Sequence, residues 1–275
     1  ARCEEYLLVD NGSSDRTPAL LTAAIADFAA KGLTFTAISA PNIQSSYAAR
    51  NVGIRTAQSE FLAFTDADCY PDPNWLTELM QPFVDSTVGL VAGKIAALPG
   101  KTWVEKYSEC KDMLSQEHTL NNKFRPYGQT ANLAIRTEAL RQAGMFRPHL
   151  STGGDADICW RIQADDAQIV SASGEPWQLT YAPEAIIQHR HRQTIKELHS
   201  QWYRYGKSNR YLHELHGVRL AWQLPKKEER RALLRWILRD LPMAIVGVVS
   251  MRRLNIKRFL GVPADIYCAR ARDLG

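Results

Sequence analysis

Short apolar runs alternate with amphipathic stretches through the first hundred residues. Tyr6–Val9, Thr34–Ser39, Phe61–Thr65 and Val88–Ala97 are apolar runs with the brevity and turn-forming borders of buried strands. Between the first two, Leu20, Leu21, Ala24, Ile25 and Phe28 recur at helical spacing. Thr17-Pro18 predicts the start of that helix, with Thr as cap, and Gly32 its end. Ser46–Ala57, with Ala49, Val52 and Ala57 inward, and Pro73–Phe83 predict two more helices. The β-α-β-α-β rhythm predicts an α/β fold, a mostly parallel central sheet flanked by helices. Beyond Gly100 the pattern predicts a long helix over Trp103–Leu120, then a loop into a strand over Gly128–Ile135. Short helices follow over Thr137–Ala143 and Asp155–Ala164, and a strand lies within Trp177–Gln188. From Gln193 onward the chain reads as helical, basic and aromatic (Trp202, Tyr203, Tyr205, Tyr211, Trp222, Trp236), broken by Pro225 and Pro242. The expected organisation is a core over 1–190 and a basic helical extension over 191–275.

Charge sharpens that division. Residues 1–188 carry 15 Lys+Arg against 22 Asp+Glu, a net of −7. Residues 189–275 carry 19 against 7, a net of +12. A basic tail points to an anionic partner. Lys226-Lys227 to Arg239 interleaves charge with Leu233, Leu234, Trp236, Ile237 and Leu238, and Met243–Val249 precedes Arg252-Arg253. Two readings are open: an amphipathic segment on an anionic cytoplasmic leaflet, or a helical cap with solvated Arg and Lys. A nucleic-acid partner is excluded, because no nucleic-acid-binding motif is present and the first half would repel phosphate backbones. The five cysteines are scattered and include no CxxC pair, which argues against a zinc knuckle and for a reducing compartment. No apolar run approaches the ~20 residues of a membrane-spanning helix. The expected location is cytoplasmic, at the cytoplasmic face of the membrane if the tail docks there.

Candidate chemistry gathers at strand ends, where open α/β sheets bind ligands. Asp10 and Asn11 follow the first strand in Val9-Asp10-Asn11-Gly12-Ser13-Ser14-Asp15-Arg16-Thr17. A carboxylate there can accept hydrogen bonds from a base or a ribose, and such residues also serve ordinary loops. Asp66-Ala67-Asp68 follows the third strand, with two carboxylates spaced to share one hard cation or to cap a turn. Gly153-Gly154-Asp155-Ala156-Asp157 opens a short helix. The helix N-terminus would hold Asp155 ionised, as a general base must be, while capping is the ordinary alternative. His189-Arg190-His191-Arg192 offers imidazole and guanidinium after a strand.

In this order the segments resemble the inverting family-2 glycosyltransferases of GT-A fold, from about Glu5 to about Gly206. The resemblance places Asp10 at the donor's base, with Asn11 beside it. Tyr47-Ala48-Ala49-Arg50-Asn51-Val52-Gly53 is similar to the family's ARNxG segment and implicates Arg50. Phe64-Thr65-Asp66-Ala67-Asp68 is similar to its DxD loop, which implies Asp68 and Asp66 as metal or ribose contacts, beside Ala67. His189 resembles a further metal ligand. Gly128-Gln129-Thr130-Ala131-Asn132 resembles the segment lining sugar and acceptor, which implicates Gln129 and Asn132. Gly153 to Arg161 resembles the region that ends in the catalytic base. That role falls on Asp155, with Gly154, Asp157 and Trp160 near the acceptor. Gln201-Trp202-Tyr203-Arg204-Tyr205-Gly206 resembles the family's closing stretch.

The implied activity is metal-dependent transfer, with Mg2+ or Mn2+, from a UDP-, GDP- or dTDP-sugar to a saccharide or lipid-linked hydroxyl. Two departures stand out: Gly154 replaces a usual Glu, and the family's first strand and helix have no counterpart in this sequence. The second departure keeps a nucleotide-sugar-binding remnant open. A haloacid-dehalogenase-type phosphatase also uses a strand-end DxD, but usually has Thr or Val where Tyr70 stands.

Overall fold

β1 (Glu5–Asp10) and β2 (Thr34–Ser39) run parallel, with Leu7 opposite Thr36 and Asp10 opposite Ser39. α1 (Thr17–Ala30) makes the crossover that parallel neighbours require. Its anchor is Phe28, whose ring lies 5.4 Å from Tyr6 and 4.5 Å from Phe35. Leu20 and Ile25, on the same helix, stay exposed, because a two-stranded ribbon is too narrow to cover it. The cap lies one residue earlier than expected: Arg16 holds that position, and the Thr17 amide donates to Asp15 at 2.9 Å.

The structure is a computed structural model that describes residue 3 and residues 5–165, 167–220, 225–251 and 255–275, with backbone alone over 247–251. Trp222, Arg252 and Arg253 of the basic tail lie outside the described residues. The chain divides into two compact units, one of residues 1–96 and 115–188, the other of 97–114 and 189–275.

The first unit continues through α2 (Ser46–Thr56), β3 (Phe61–Thr65), β4 (Cys69–Pro71), α3 (Trp75–Met80), a 3-10 turn (Gln81–Val84) and β5 (Val88–Ala97). After α4 (Trp103–Cys110) come α5 (Gln116–Leu120), β6 (Asn132–Arg136), α6 (Thr137–Gln142), α7 (Gly154–Ile162) and β7 (Gln178–His189). The five later strands form one sheet in the order β3-β6-β5-β7-β4, separate from the β1–β2 pair. A mostly parallel sheet therefore holds only in part. β6 runs antiparallel to both neighbours, with Leu62 and Leu90 each opposite Ile135. Physically, the chain leaves β5 and re-enters β6 at the same end of the sheet, so no crossover intervenes.

Both faces of β5 and β6 are covered over residues 88–93 and 133–135, which explains the apolar runs there. Leu90, Ala92, Leu133 and Ile135 join one cluster with Ile158 and Ile162 of α7, and Val91 and Ala134 join another with Leu79 and Phe83. The single helix expected over Trp103–Leu120 is two helices. Asp112 and Leu114 adopt positive φ of 50° and 69°, which ends α4 without a glycine to announce it.

α7 meets α2 at a bare backbone. A Cβ on Gly154 would lie 2.6 Å from Cζ of Tyr47, so that ring fills the room a side chain would need. The same ring stacks on Phe146 at 5.6 Å.

The second unit is helical: α4, α8 (Ile195–His216), α9 (Lys226–Arg235), a π-helical turn (Trp236–Asp240), α10 (Leu241–Met251) and α11 (Ile256–Leu274). Its core joins Val104, Tyr107, Leu198, Ala264 and Cys268. Tyr107 donates to Asp265 at 2.7 Å, and Lys111 pairs with the same carboxylate at 2.6 Å. A Cβ on Gly206 would lie 1.9 Å from the Arg272 carbonyl oxygen, so α8 and α11 approach as closely as backbones can. Pro242 does not break the chain here as expected. It sits in the first turn of α10, directly after the π-helical turn, where the local loosening accommodates a missing amide. Among the described residues no helix is long and apolar enough to cross a membrane.

The Gly154 contact sets a stability test. Gly154→Ala is expected to cost about 1–3 kcal/mol in urea denaturation. A Tyr47→Ala/Gly154→Ala double variant should lose less than the sum of the two single losses, because removing the ring removes the clash.

Candidate active site

Three segments of the first unit bring charge together. Arg50 projects from α2, whose N-cap Ser45 accepts the Tyr47 amide at 3.2 Å. Its guanidinium donates to Asp66 at the end of β3, at 2.9 Å, and lies over the Tyr47 ring at 5.5 Å. Asp155, in the first turn of α7, feels both Arg50 and Asp66. One guanidinium thus pairs with Asp66 and lies within electrostatic reach of Asp155.

Thr130 fixes the Asp155 carboxylate. Its hydroxyl donates to Oδ1 at 3.0 Å and its amide to Oδ2 at 3.3 Å. The helix N-terminus was expected to keep this acid readily ionised, but the balance runs the other way. Loss of water around the carboxyl raises its pKa, Asp66 raises it further, and Arg50 and the Thr130 hydrogen bonds oppose both. A carboxylate raised in this way is a stronger proton acceptor once ionised. Burial also pushes the Tyr47 phenol up, with Asp155 adding to the shift, so Tyr47 stays neutral beside the cluster.

Asp68 is exposed at the turn between β3 and β4, a turn closed by the Cys69 amide on the Asp66 carbonyl at 3.1 Å. Ala67 is exposed in the same turn. Asp66 uses Oδ1 for Arg50, and this loop offers hard carboxylate oxygens of the kind Mg2+ and Mn2+ prefer. Burial pushes the neighbouring Cys69 thiol up to about 11, so it stays protonated and is a poor ligand for such ions. His189 is the buried last residue of β7 and belongs to the second unit. Asp10 ends β1 and accepts the Ser13 amide at 3.2 Å within its own loop. Asn11 ties that loop to the chain after β2, donating to the Ile43 carbonyl at 2.8 Å and to the Ala40 carbonyl.

Several residues expected around the sugar and acceptor are committed elsewhere. Asn132 is fully buried, donates to the carbonyls of Lys94 and Ala185 at 2.8 Å each, and accepts from Trp75 Nε1 at 2.7 Å. It latches strands and α3 together and has no face for a sugar. Asp157 is also fully buried, paired with Arg147 at 3.2 Å and Arg161 at 2.8 Å. Trp160 is 2% exposed, donates to the Arg125 carbonyl at 2.8 Å, and meets Phe124 and Tyr127 edge to face. Both are corrections with one cause: their polar atoms are consumed inside the unit. Gln129 donates to the Ser115 carbonyl at 3.2 Å and receives Gln116 on its own carbonyl at 3.3 Å, so it braces the loop carrying Thr130. Gly154 serves the site by admitting the Tyr47 ring. Thr130 and Tyr47 are the residues the sequence reading passed over. The paired glycines before Asp155 were the available signal, since bare backbone there implies a bulky neighbour.

The family model described as "Glycosyl transferase family 2" matches residues 4–147. The "Pre-mycofactocin glycosyltransferase" of Mycobacterium tuberculosis is 29% identical over 226 residues, covering 78% of this chain and 45% of that protein. This chain thus spans a little under half that relative's length. "Glycosyltransferase AglE" of Haloferax volcanii is 32% identical over 238 residues, covering 85% of this chain and 69% of its own. Among solved structures, the mannosyltransferase PcManGT from Pyrobaculum calidifontis, in complex with GDP-Man and Mn2+, is similar with a TM-score of 0.52. Identity there is 17%, over 98% of this chain and 77% of that one, a likeness of fold alone. The fold is thus GT-A, and this chain belongs to glycosyl transferase family 2.

Proposed function

We propose that this chain moves a sugar from a nucleotide-diphosphate sugar (UDP-, GDP- or dTDP-linked) to a hydroxyl of a saccharide or lipid-linked acceptor, inverting the anomeric carbon. The observation that carries this reading is the Asp155 carboxylate, oriented by Thr130 and flanked by the Arg50–Asp66 pair. Asp155 takes the proton of the acceptor hydroxyl as its oxygen bonds to the anomeric carbon. The bond from that carbon to the diphosphate breaks, and its electron pair leaves with the nucleoside diphosphate. Attack opposite the leaving group gives inversion. Arg50 and Asp10 belong to the donor side, Arg50 as the cation that offsets two acids. Asp68, with Asp66, would hold a divalent cation, Mg2+ or Mn2+, which would supply charge neutralisation at the diphosphate when bound. The haloacid-dehalogenase reading is set aside, since Asp66, its required nucleophile, is tied to Arg50 in a chain of another family.

Asp155→Asn is expected to lower kcat by about a hundredfold to ten-thousandfold with donor affinity unchanged. Equal loss of both would remove the base role. Wild-type chain that saturates with nucleotide sugar and turns over none is instead the binding remnant.

The pH profile tests Thr130. Its hydrogen bonds lower the Asp155 pKa, so removing them raises it and protonates the base at higher pH. Thr130→Val should therefore move the acid limb of kcat/KM to higher pH. An unmoved limb would detach Thr130 from the titrating group.

Asp68→Ala addresses the metal. With wild-type chain, Mn2+ is expected to raise the thermal midpoint in the presence of a nucleotide diphosphate, by mass action on the folded state. The variant should lose the Mn2+-dependent part of that rise and keep its own midpoint. A rise equal to wild type would contradict the assignment.

A further inference from the structure

The second unit carries an outward apolar face that the proposed transfer chemistry does not use. Residues 226–251 run as one helical rod through α9, the π-helical turn and α10. One side of the rod packs inward: Trp236 donates to the Arg258 carbonyl of α11 at 2.9 Å, and Ala244, eight residues on, is 1% exposed. The other side is bare. Leu234 is 58% exposed, Ile237 50%, Leu238 76% and Ile245 51%. Leu234, Leu238, half-buried Leu241 and Ile245 follow at steps of four, three and four, which puts them along one stripe.

Cations flank this stripe. Lys226, Lys227, Arg230, Arg231, Arg235 and Arg239 are all exposed. Of the three acids on the same stretch, Glu229 pairs with Arg270 and Asp240 with Arg239. A helix with exposed Leu and Ile on one side, Lys and Arg along its borders, and its opposite side fixed to the protein fits the boundary between headgroups and acyl chains. Its cations complement anionic headgroups, whereas a second copy of the same basic face would meet like charge.

We infer that the exposed face of residues 226–246 is a peripheral docking surface for an anionic lipid bilayer. The Leu and Ile side chains enter the acyl boundary and the Lys and Arg side chains reach phosphate. The rod lies in the plane of the surface and does not cross it. This goes beyond the proposed transfer reaction and does not depend on it, because vesicle binding is read without any turnover.

The test uses the full purified chain and sedimentation with two kinds of vesicle, phosphatidylcholine alone and phosphatidylcholine mixed with phosphatidylglycerol. The chain should partition onto the mixed vesicles, and partitioning should fall as salt rises. Leu238→Glu/Ile245→Glu should weaken it by at least about tenfold. The thermal midpoint should be unchanged, since both side chains are already exposed. Lys226→Glu/Lys227→Glu should weaken binding to the mixed vesicles and abolish its salt dependence in part. Any of three results overturns the inference: binding to both vesicle types alike, wild-type binding by the Leu238/Ile245 variant, or a wild-type dimer in analytical ultracentrifugation that this variant dissociates. The last would make the face an interface between copies.

Discussion

The site depends on one guanidinium facing two acids. Arg50 is 18% exposed in its side chain and pairs with Asp66 at 2.9 Å. Without it, Asp66 and Asp155 would repel in a partly dehydrated space, and one of them would take up a proton. The fold fixes Arg50 before any substrate arrives. α2 is capped by Ser45, whose hydroxyl donates to the Leu150 carbonyl at 2.9 Å, and Asn51 binds Phe146 through both its amide groups. The helix that carries Arg50 is thus tied to the loop ahead of α7, which carries Asp155. That is preorganisation in a physical sense: the costs of ordering are met by buried polar ties away from the chemistry.

What the sequence disclosed and what it hid follow from the same distinction. Strand ends were legible because apolar runs stop abruptly at Asp10 and Asp66, and a β-strand that ends in a carboxylate must place it near the sheet rim. Orientation was not legible. Asn132 and Thr130 stand two residues apart in one segment, yet Asn132 faces the strands and Thr130 faces Asp155. Asp155 and Asp157 likewise share a helix turn, and only the second is consumed by Arg147 and Arg161. Spacing tells which residues are near, and only packing tells which polar atoms remain to be used.

The sheet taught a related lesson. The rhythm of elements correctly reports α/β layering, but it carries no information on strand direction once a long excursion intervenes. β6 enters between β3 and β5 against both. The break between α4 and α5 was hidden for a different reason. Its left-handed residues, Asp112 and Leu114, are not the glycines that usually mark such a bend, so their strain is held by tertiary context.

The two units solve opposite electrostatic problems. In the first, Asp66 and Asp155 lie close enough to repel, and Arg50 offsets them by pairing with Asp66. In the second, Tyr107 and Lys111 both bind Asp265, and Arg270 pairs with Glu229. The charges left over are cationic and outward, and they sit beside Leu and Ile side chains that folding leaves uncovered. A solvated cap would gain nothing from leaving four large aliphatic groups in water between those charges. The proposed bilayer, oily beneath and negative above, would cover the apolar side chains and meet the cations of the same helical rod.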